Sequence, residues 1–136
     1  MLKYFLSSAI LLTTVKADGI PHRKEFTVKI KGKLVCDGEP ASGSIVLADE
    51  DFFWDDLLNF TKTANVMDGA FEIEGYEKGW TKFDPILYVL HHCGDEFNPV
   101  RSEFPIDKKY VFVSNDEKKM IVEAVFELRN STVIYA

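Results

Sequence analysis

The sequence predicts an all-β protein, an antiparallel β-sandwich of about eight strands. Three observations carry this. Residues 26–36 alternate, with Val28, Ile30, Leu34 and Cys36 on one parity and Lys29, Lys31 and Lys33 on the other, the period of a half-buried strand. Further short apolar runs follow, separated by turn-forming Gly, Pro, Asn and Asp. No segment sustains helical spacing, and only residues 51–59 have the composition for one turn of helix.

Taken in order, the first strand gives way at Gly38-Glu39-Pro40 and Ser42-Gly43 to a turn, and residues 44–48 form a second strand. An acidic and aromatic segment, Asp49 through Leu58, comes next. Asp68-Gly69 predicts a tight hairpin joining 61–66 to 70–74, because that dipeptide supplies the positive φ angles of a two-residue reversal. Within it, Phe71 and Ile73 are expected to point inward and Glu72 and Glu74 outward. Pro85 opens residues 86–93, apolar on both parities as in a central strand. Shorter extended pieces are expected at 101–106 and 110–113. In the last strand Val122, Ala124, Phe126 and Leu128 alternate with Glu123, Val125, Glu127 and Arg129.

Ahead of these strands, Met1-Leu2-Lys3 leads into an apolar run from Tyr4 to Val15, with a small-residue cleavage site at Val15-Lys16-Ala17. These are the features of a secretory signal peptide. The run falls short of the roughly 20 residues of a membrane-spanning helix. Residues 1–17 are therefore expected to be a removed leader and 18–136 one secreted, extracellular sandwich domain. Losing Lys3 and Lys16 leaves 14 bases against 22 acids, a net charge near −8. That balance does not suit nucleic acid, whose recognition rests on basic surface.

Cys36 and Cys93 are the two cysteines. In an oxidising compartment such a pair most often forms one bridge. The functional alternative makes Cys93 a nucleophile activated by His91 or His92. Asn59-Phe60-Thr61 and Asn130-Ser131-Thr132 match the N-glycan acceptor pattern, with Asn130 better placed near the C-terminus.

The chain resembles the nematode transthyretin-like proteins, small secreted domains of the prealbumin sandwich type. The resemblance rests on the segment from Val28 to Cys36 with Gly38 and Pro40, on Asp55-Asp56-Leu57-Leu58, on Asp68-Gly69-Ala70-Phe71 with Gly75, and on Pro85-Ile86-Leu87 through His91-His92-Cys93. It spans roughly residues 26 to 128. It implies an internal Cys36–Cys93 disulfide and no cofactor. Within the family the chain is most similar to the secreted bridging protein that binds phosphatidylserine on dying cells. This similarity implies two partners, phosphatidylserine in exposed outer leaflets and the ectodomain of a phagocyte engulfment receptor, with a homodimer as one arrangement of the chain.

Several residues are candidates for the lipid contact. Lys29, Lys31 and Lys33 project from one face about 7 Å apart and suit an anionic headgroup, unless acids such as Glu123 and Glu127 pair with them across strands. Phe52, Phe53 and Trp54 suit a membrane or partner contact, and the flanking Asp49, Glu50, Asp51, Asp55 and Asp56 offer hard oxygen ligands of the kind Ca²⁺ takes, though without EF-hand spacing. No metal site is assigned on this pattern. His91 and His92, as neighbours in a strand, face opposite sides and do not chelate one ion together. Ile86, Tyr88 and Leu90 form an apolar interface patch if no later strand covers them.

Two other uses of the fold compete with the adaptor. A carrier would hold a small apolar ligand between sandwiches of an oligomer. The 5-hydroxyisourate hydrolase of the same fold ends in Tyr-Arg-Gly-Ser, where this chain reads Thr132-Val133-Ile134-Tyr135-Ala136, so no catalytic residue is assigned and no enzyme activity is expected.

Overall fold

The computed structural model describes residues 22–50, 56–63 and 67–136. The expected leader, and with it Phe52, Phe53 and Trp54, lies outside the described residues. Ten strands make two sheets. Two of the ten, β2 (Glu39–Pro40) and β8 (Phe112–Val113), have two residues each, which leaves eight longer strands, as expected.

The first sheet is organised around β1 (Lys24–Cys36). Along one edge of β1 run β5 (Ala70–Gly79) and β2; along the other run β8 and β9 (Ile121–Glu127), with β10 (Thr132–Tyr135) beyond β9. The second sheet has the order β4 (Asp56–Lys62), β3 (Ser44–Asp49), β6 (Pro85–His91), β7 (Val100–Pro105). The central position expected for β6 is confirmed. All pairs are antiparallel except β1 with β9, which is parallel. After β7 the chain crosses through a 3-10 turn at Lys108–Tyr110 and enters beside β1 as β8, antiparallel to it; it then reverses over residues 114–120, so that β9 runs parallel to β1 along the same edge.

The inward parity packs as expected. Val28, Ile30 and Leu34 from β1, Ile45 and Leu47 from β3, Leu87 and Val89 from β6, and Val122 and Phe126 from β9 are completely buried. Each such side chain contributes about 1.5–3 kcal/mol relative to exposure. Phe126 is the centre of an aromatic cluster, edge-on to Phe104 at 5.1 Å and tilted against Phe71 at 5.7 Å between ring centroids.

Three expectations need correction. The fourth strand runs Asp56–Lys62, taking residues 56–59 in place of part of the expected helical turn; of the strand expected at 61–66 it includes Thr61 and Lys62, and residues 64–66 lie outside the described residues. It pairs with β3, while β5 pairs with β1, so the strands on either side of Asp68-Gly69 enter different sheets. The turn exists, but its contacts are with β1: Leu34 donates its N–H to the Gly69 carbonyl at 2.9 Å. Phe71 and Ile73 reach the core from the β1 side, which satisfies the same alternation with a different neighbour. Half of the extended piece expected at 110–113 is strand, Phe112 and Val113, while Tyr110 ends the 3-10 turn. β10 has no counterpart among the expected strands. The tight reversal between β1 and β2 sits at Asp37-Gly38, both with positive φ, where glycine avoids the Cβ strain of that conformation.

Candidate functional site

The two outer faces of the sandwich differ in chemistry. On the β1 sheet the three lysines point outward as expected, yet the register places acids beside them. Lys29 lies opposite Glu74 and Lys31 opposite Glu72, with Nζ to carboxylate distances of 4.0 and 3.5 Å. On the other side of β1, Lys31 neighbours Glu123 of β9, while Lys33 neighbours Ala70 and Val125. Three lysines are thus matched by Glu72, Glu74 and Glu123. Glu127 is engaged elsewhere: its carboxylate accepts the N–H groups of Asp37, Gly38 and Arg129 and fastens the β1–β2 turn. Partial burial opposes its charge, but those three donors prevail and hold its carboxyl below the usual range.

The outer face of the second sheet is apolar with a cationic margin. Cross-strand register puts Lys62, Ser44, Leu90 and Arg101 in one row, then Phe60, Val46, Tyr88 and Glu103, then Leu57, Ala48, Ile86 and Pro105. The last two strands belong to the other sheet and do not cover this face. Leu57 is 67% and Leu90 45% exposed, Tyr88 is half-buried, and Ile86 is buried. Val46, Leu57, Tyr88 and Leu90 line an apolar groove of ≈310 Å³ with Arg101 at its margin. The Arg101 guanidinium lies 3.9 Å over the Tyr88 ring and 3.4 Å from Glu103, so its charge is partly shared while that of Lys62 projects from an exposed site.

Beside Leu90, at the disulfide end, a second cavity of ≈450 Å³ is lined by Ser42, Ser44, Lys62, Thr63 and His92 among others. His92 is exposed and His91 is 3% exposed, the opposite orientations expected of strand neighbours. The hydrogen bonds around His91 fix its tautomer. Ser102 Oγ donates to the Leu128 carbonyl at 3.0 Å, so at 2.7 Å from His91 Nε2 it accepts. His91 Nδ1 accepts the Cys93 N–H at 3.0 Å. The imidazole is therefore neutral with its proton on Nε2, and burial, reinforced by His92, pushes its pKa below the ordinary 6.5.

Cys36 and Cys93 are bridged with their Cα atoms 5.7 Å apart, tying the end of β1 to the segment after β6 and so one sheet to the other. Cys93 has no free thiol to act as a nucleophile.

In the acidic segment, Asp49 and Asp56 face each other across β3 and β4, and Glu77 of β5 joins them with ligand oxygens all within 4.8 Å. Asp49 also accepts the Asp84 N–H at 3.1 Å. Glu50 is exposed, and Asp51 and Asp55 lie outside the described residues. Of the two sequons, Asn130 is exposed in the β9–β10 turn, whereas Asn59 Nδ2 donates to the Glu74 carbonyl at 2.7 Å.

Comparison with known proteins now decides the family. The family described as "TTR-52: Transthyretin-like family" matches residues 31–109, more than half the chain. The chain belongs to the transthyretin-like family.

Two transthyretin-like relatives are from Caenorhabditis elegans. The chain is 31% identical to transthyretin-like protein 2 over 136 residues, covering 94% of this chain and 91% of that protein. It is 41% identical to transthyretin-like protein 5 over 80 residues, which cover 57% of this chain and 56% of that protein. A structural likeness to a 9R-lipoxygenase from Cyanothece PCC8801, at 17% identity and a TM-score of 0.39 over 73% of this chain and 16% of the other, carries no argument.

In this transthyretin-like chain the sequence singled out the lysine parity, the disulfide and Leu90, but not the row that joins Lys62, Ser44 and Arg101 to Leu90. Parity alone puts Ser44, Val46 and Ala48 on one face; only the pairing of Ser44 with Leu90 reveals that the two faces are one surface. Likewise Glu77 joins Asp49 and Asp56 through sheet packing, with no spacing signal in the sequence.

Proposed function

We propose that this transthyretin-like protein is a secreted extracellular adaptor that binds phosphatidylserine on the surface of apoptotic cells and bridges them to the ectodomain of an engulfment receptor, promoting clearance of the corpse. One observation carries the reading. The sandwich interior is filled with apolar side chains, and the chemistry available to partners lies outside, on two faces of unlike character. One is charge-matched and polar; the other is apolar with Lys62 and Arg101 at its margin. A bridge needs two such separable surfaces, whereas a hydrolase needs a positioned base and a carrier of this fold an oligomer with its ligand between sandwiches. Membership of the transthyretin-like family supports the same reading. Adaptor action needs no catalytic group, and the proposal includes none.

The test is co-sedimentation of the mature chain with phosphatidylcholine vesicles carrying phosphatidylserine, phosphatidylglycerol, phosphatidylethanolamine or no additional lipid, with calcium and with chelator. Preferential pelleting with phosphatidylserine over the equally anionic phosphatidylglycerol is expected. Equal recovery in the supernatant for every composition, from a folded and disulfide-bonded sample, overturns the proposal. A loss of binding on chelation would draw Asp49, Asp56 and Glu77 into the mechanism; retention would exclude them.

A further inference from the structure

Given the adaptor reading, on which this inference rests, we propose that the membrane is met by the outer face of the β4–β3–β6–β7 sheet, with Leu90 where its polar and apolar parts meet, and not by the lysines of β1. Charge separates the two faces. Lys29 faces Glu74, Lys31 lies between Glu72 and Glu123, and Lys33 has no acid beside it in the register, so three lysines share the face with three glutamates and it offers an anionic bilayer no net attraction. Among the described residues in the rows of the opposite face, Lys62 and Arg101 stand against Glu103, a local excess of one positive charge on a chain whose total is −6. The acidic remainder of the molecule is repelled by anionic lipid, which favours docking through this one orientation.

Shape adds a second, independent argument. The ≈450 Å³ cavity bearing Ser42, Ser44, Lys62 and Thr63 offers hydroxyls and an ammonium, the donors that phosphate and carboxylate oxygens accept from. The ≈310 Å³ apolar groove begins on the other side of Leu90, which lines both. Polar donors and apolar lining meeting at one exposed leucine match a glycerophospholipid at the level where headgroup gives way to acyl chain. Tyr88, half-buried beside that groove, suits the same interfacial zone.

Area argues against a second copy of the chain as the occupant. Four strands about 4.8 Å apart and three outward rows about 7 Å apart span roughly 400 Å², half of the about 800 Å² per partner in a stable protein interface. A bilayer sets no such threshold, because insertion of a few apolar side chains adds to electrostatic attraction.

The experiment compares three forms of the mature chain on phosphatidylcholine vesicles with and without phosphatidylserine. These are the unaltered protein, the pair Lys62→Glu with Leu90→Asp, and the triple Lys29→Glu, Lys31→Glu, Lys33→Glu. Lys62→Gln alone serves as a milder variant should the pair fail to fold, and a melting curve checks each form. The pair is expected to bind phosphatidylserine vesicles at least about thirtyfold more weakly, since reversing the Lys62 charge alone carries that factor and Leu90→Asp adds to it, and the triple to bind within about threefold of the unaltered protein. Lys62→Gln is expected to weaken binding about fivefold. Soluble glycerophosphoserine is expected to compete poorly, since it lacks the chains that the groove receives.

Undiminished binding by the pair, or by Lys62→Gln where the pair does not fold, overturns the assignment while leaving the adaptor standing. So does full competition by the soluble headgroup, which would make this a headgroup pocket only. A change in oligomeric state on light scattering, with vesicle binding intact, overturns it in favour of a self-association surface. Failure of the unaltered protein to bind any vesicle instead removes the adaptor reading itself.

Discussion

His91 of β6 and Ser102 of β7 lie 2.7 Å apart within one sheet and begin a relay that ties it to the other. Ser102 belongs to β7 of one sheet, and its hydroxyl passes the hydrogen bond on to Leu128 at the end of β9 in the other. On the far side of the imidazole, the Cys93 N–H ties the same relay to the disulfide. A covalent and a polar inter-sheet tie thus sit side by side at one end of the molecule.

The relay makes stability sensitive to acid. Burial depresses the folded pKa of His91 below the ordinary 6.5, so the unfolded chain takes up a proton more readily than the folded one. Its contribution is complete above pH 6.5 and is lost as the pH falls through the folded value. Protonation would also set a second N–H against that of Cys93. Urea midpoints measured from neutral to mildly acidic pH should fall on acidification. In His91→Gln, which starts from a lower stability, the curve should be flatter over that window.

Ser102→Ala leaves both His91 Nε2–H and the Leu128 carbonyl short of a partner in the interior. It should cost about 1–3 kcal/mol in unfolding free energy at neutral pH, the penalty for stranding buried polar groups. Ser102→Cys, which keeps a weak donor and acceptor, should recover part of the loss. Equal stability of all three forms would mean that the relay contributes nothing.

The disulfide closes a separation of 57 residues. Chain entropy assigns such a loop about 4 kcal/mol of stabilisation. Replacing both cysteines with serine should therefore lower the unfolding free energy by about that amount and steepen its dependence on denaturant, because the unfolded chain is no longer held compact. A single replacement would leave a reactive thiol and is the poorer test.

Glycan occupancy should differ between the two sequons. Asn130 is exposed in a turn, while Asn59 has its amide committed to the Glu74 carbonyl in the folded protein. For protein secreted from eukaryotic cells, Asn130→Gln should abolish the mobility shift that a glycosidase removes, and Asn59→Gln should leave it in place.

Much of this architecture is legible in the sequence because alternation is a local signal. The parity of Lys29, Lys31 and Lys33 against Val28, Ile30 and Leu34, and of Phe71 and Ile73 against Glu72 and Glu74, is reproduced residue by residue. Partner choice is not local. The Asp68-Gly69 signal specifies a reversal equally well whether the flanking strands pair with each other or separate into two sheets, and here they separate. The same limit governs the site. Glu72 and Glu74 can be read as outward-facing, but their alignment with Lys31 and Lys29 appears only in the register. The row of Lys62, Ser44, Leu90 and Arg101 draws on four strands from three parts of the chain, so no window of sequence contains it.

Gly32 gives a last test, of packing between β1 and the aromatic cluster. It occupies the inward parity between Ile30 and Leu34, where an apolar side chain would be the default. A Cβ at this position would lie 2.6 Å from the Phe71 ring and 2.7 Å from that of Phe126, well inside van der Waals contact. The two rings fill the space that a side chain on β1 leaves free, and Phe126 is itself held by Phe104. Gly32→Ala should gain a few tenths of a kcal/mol from the reduced entropy of the unfolded chain. Displacing two constrained rings should cost about 1–3 kcal/mol, so the net change should be destabilising. Coupling distinguishes this cause from a generic strand effect: in a Phe71→Leu background, which withdraws the nearest ring atoms, the same substitution should be markedly less costly. An undiminished penalty there would place the strain elsewhere.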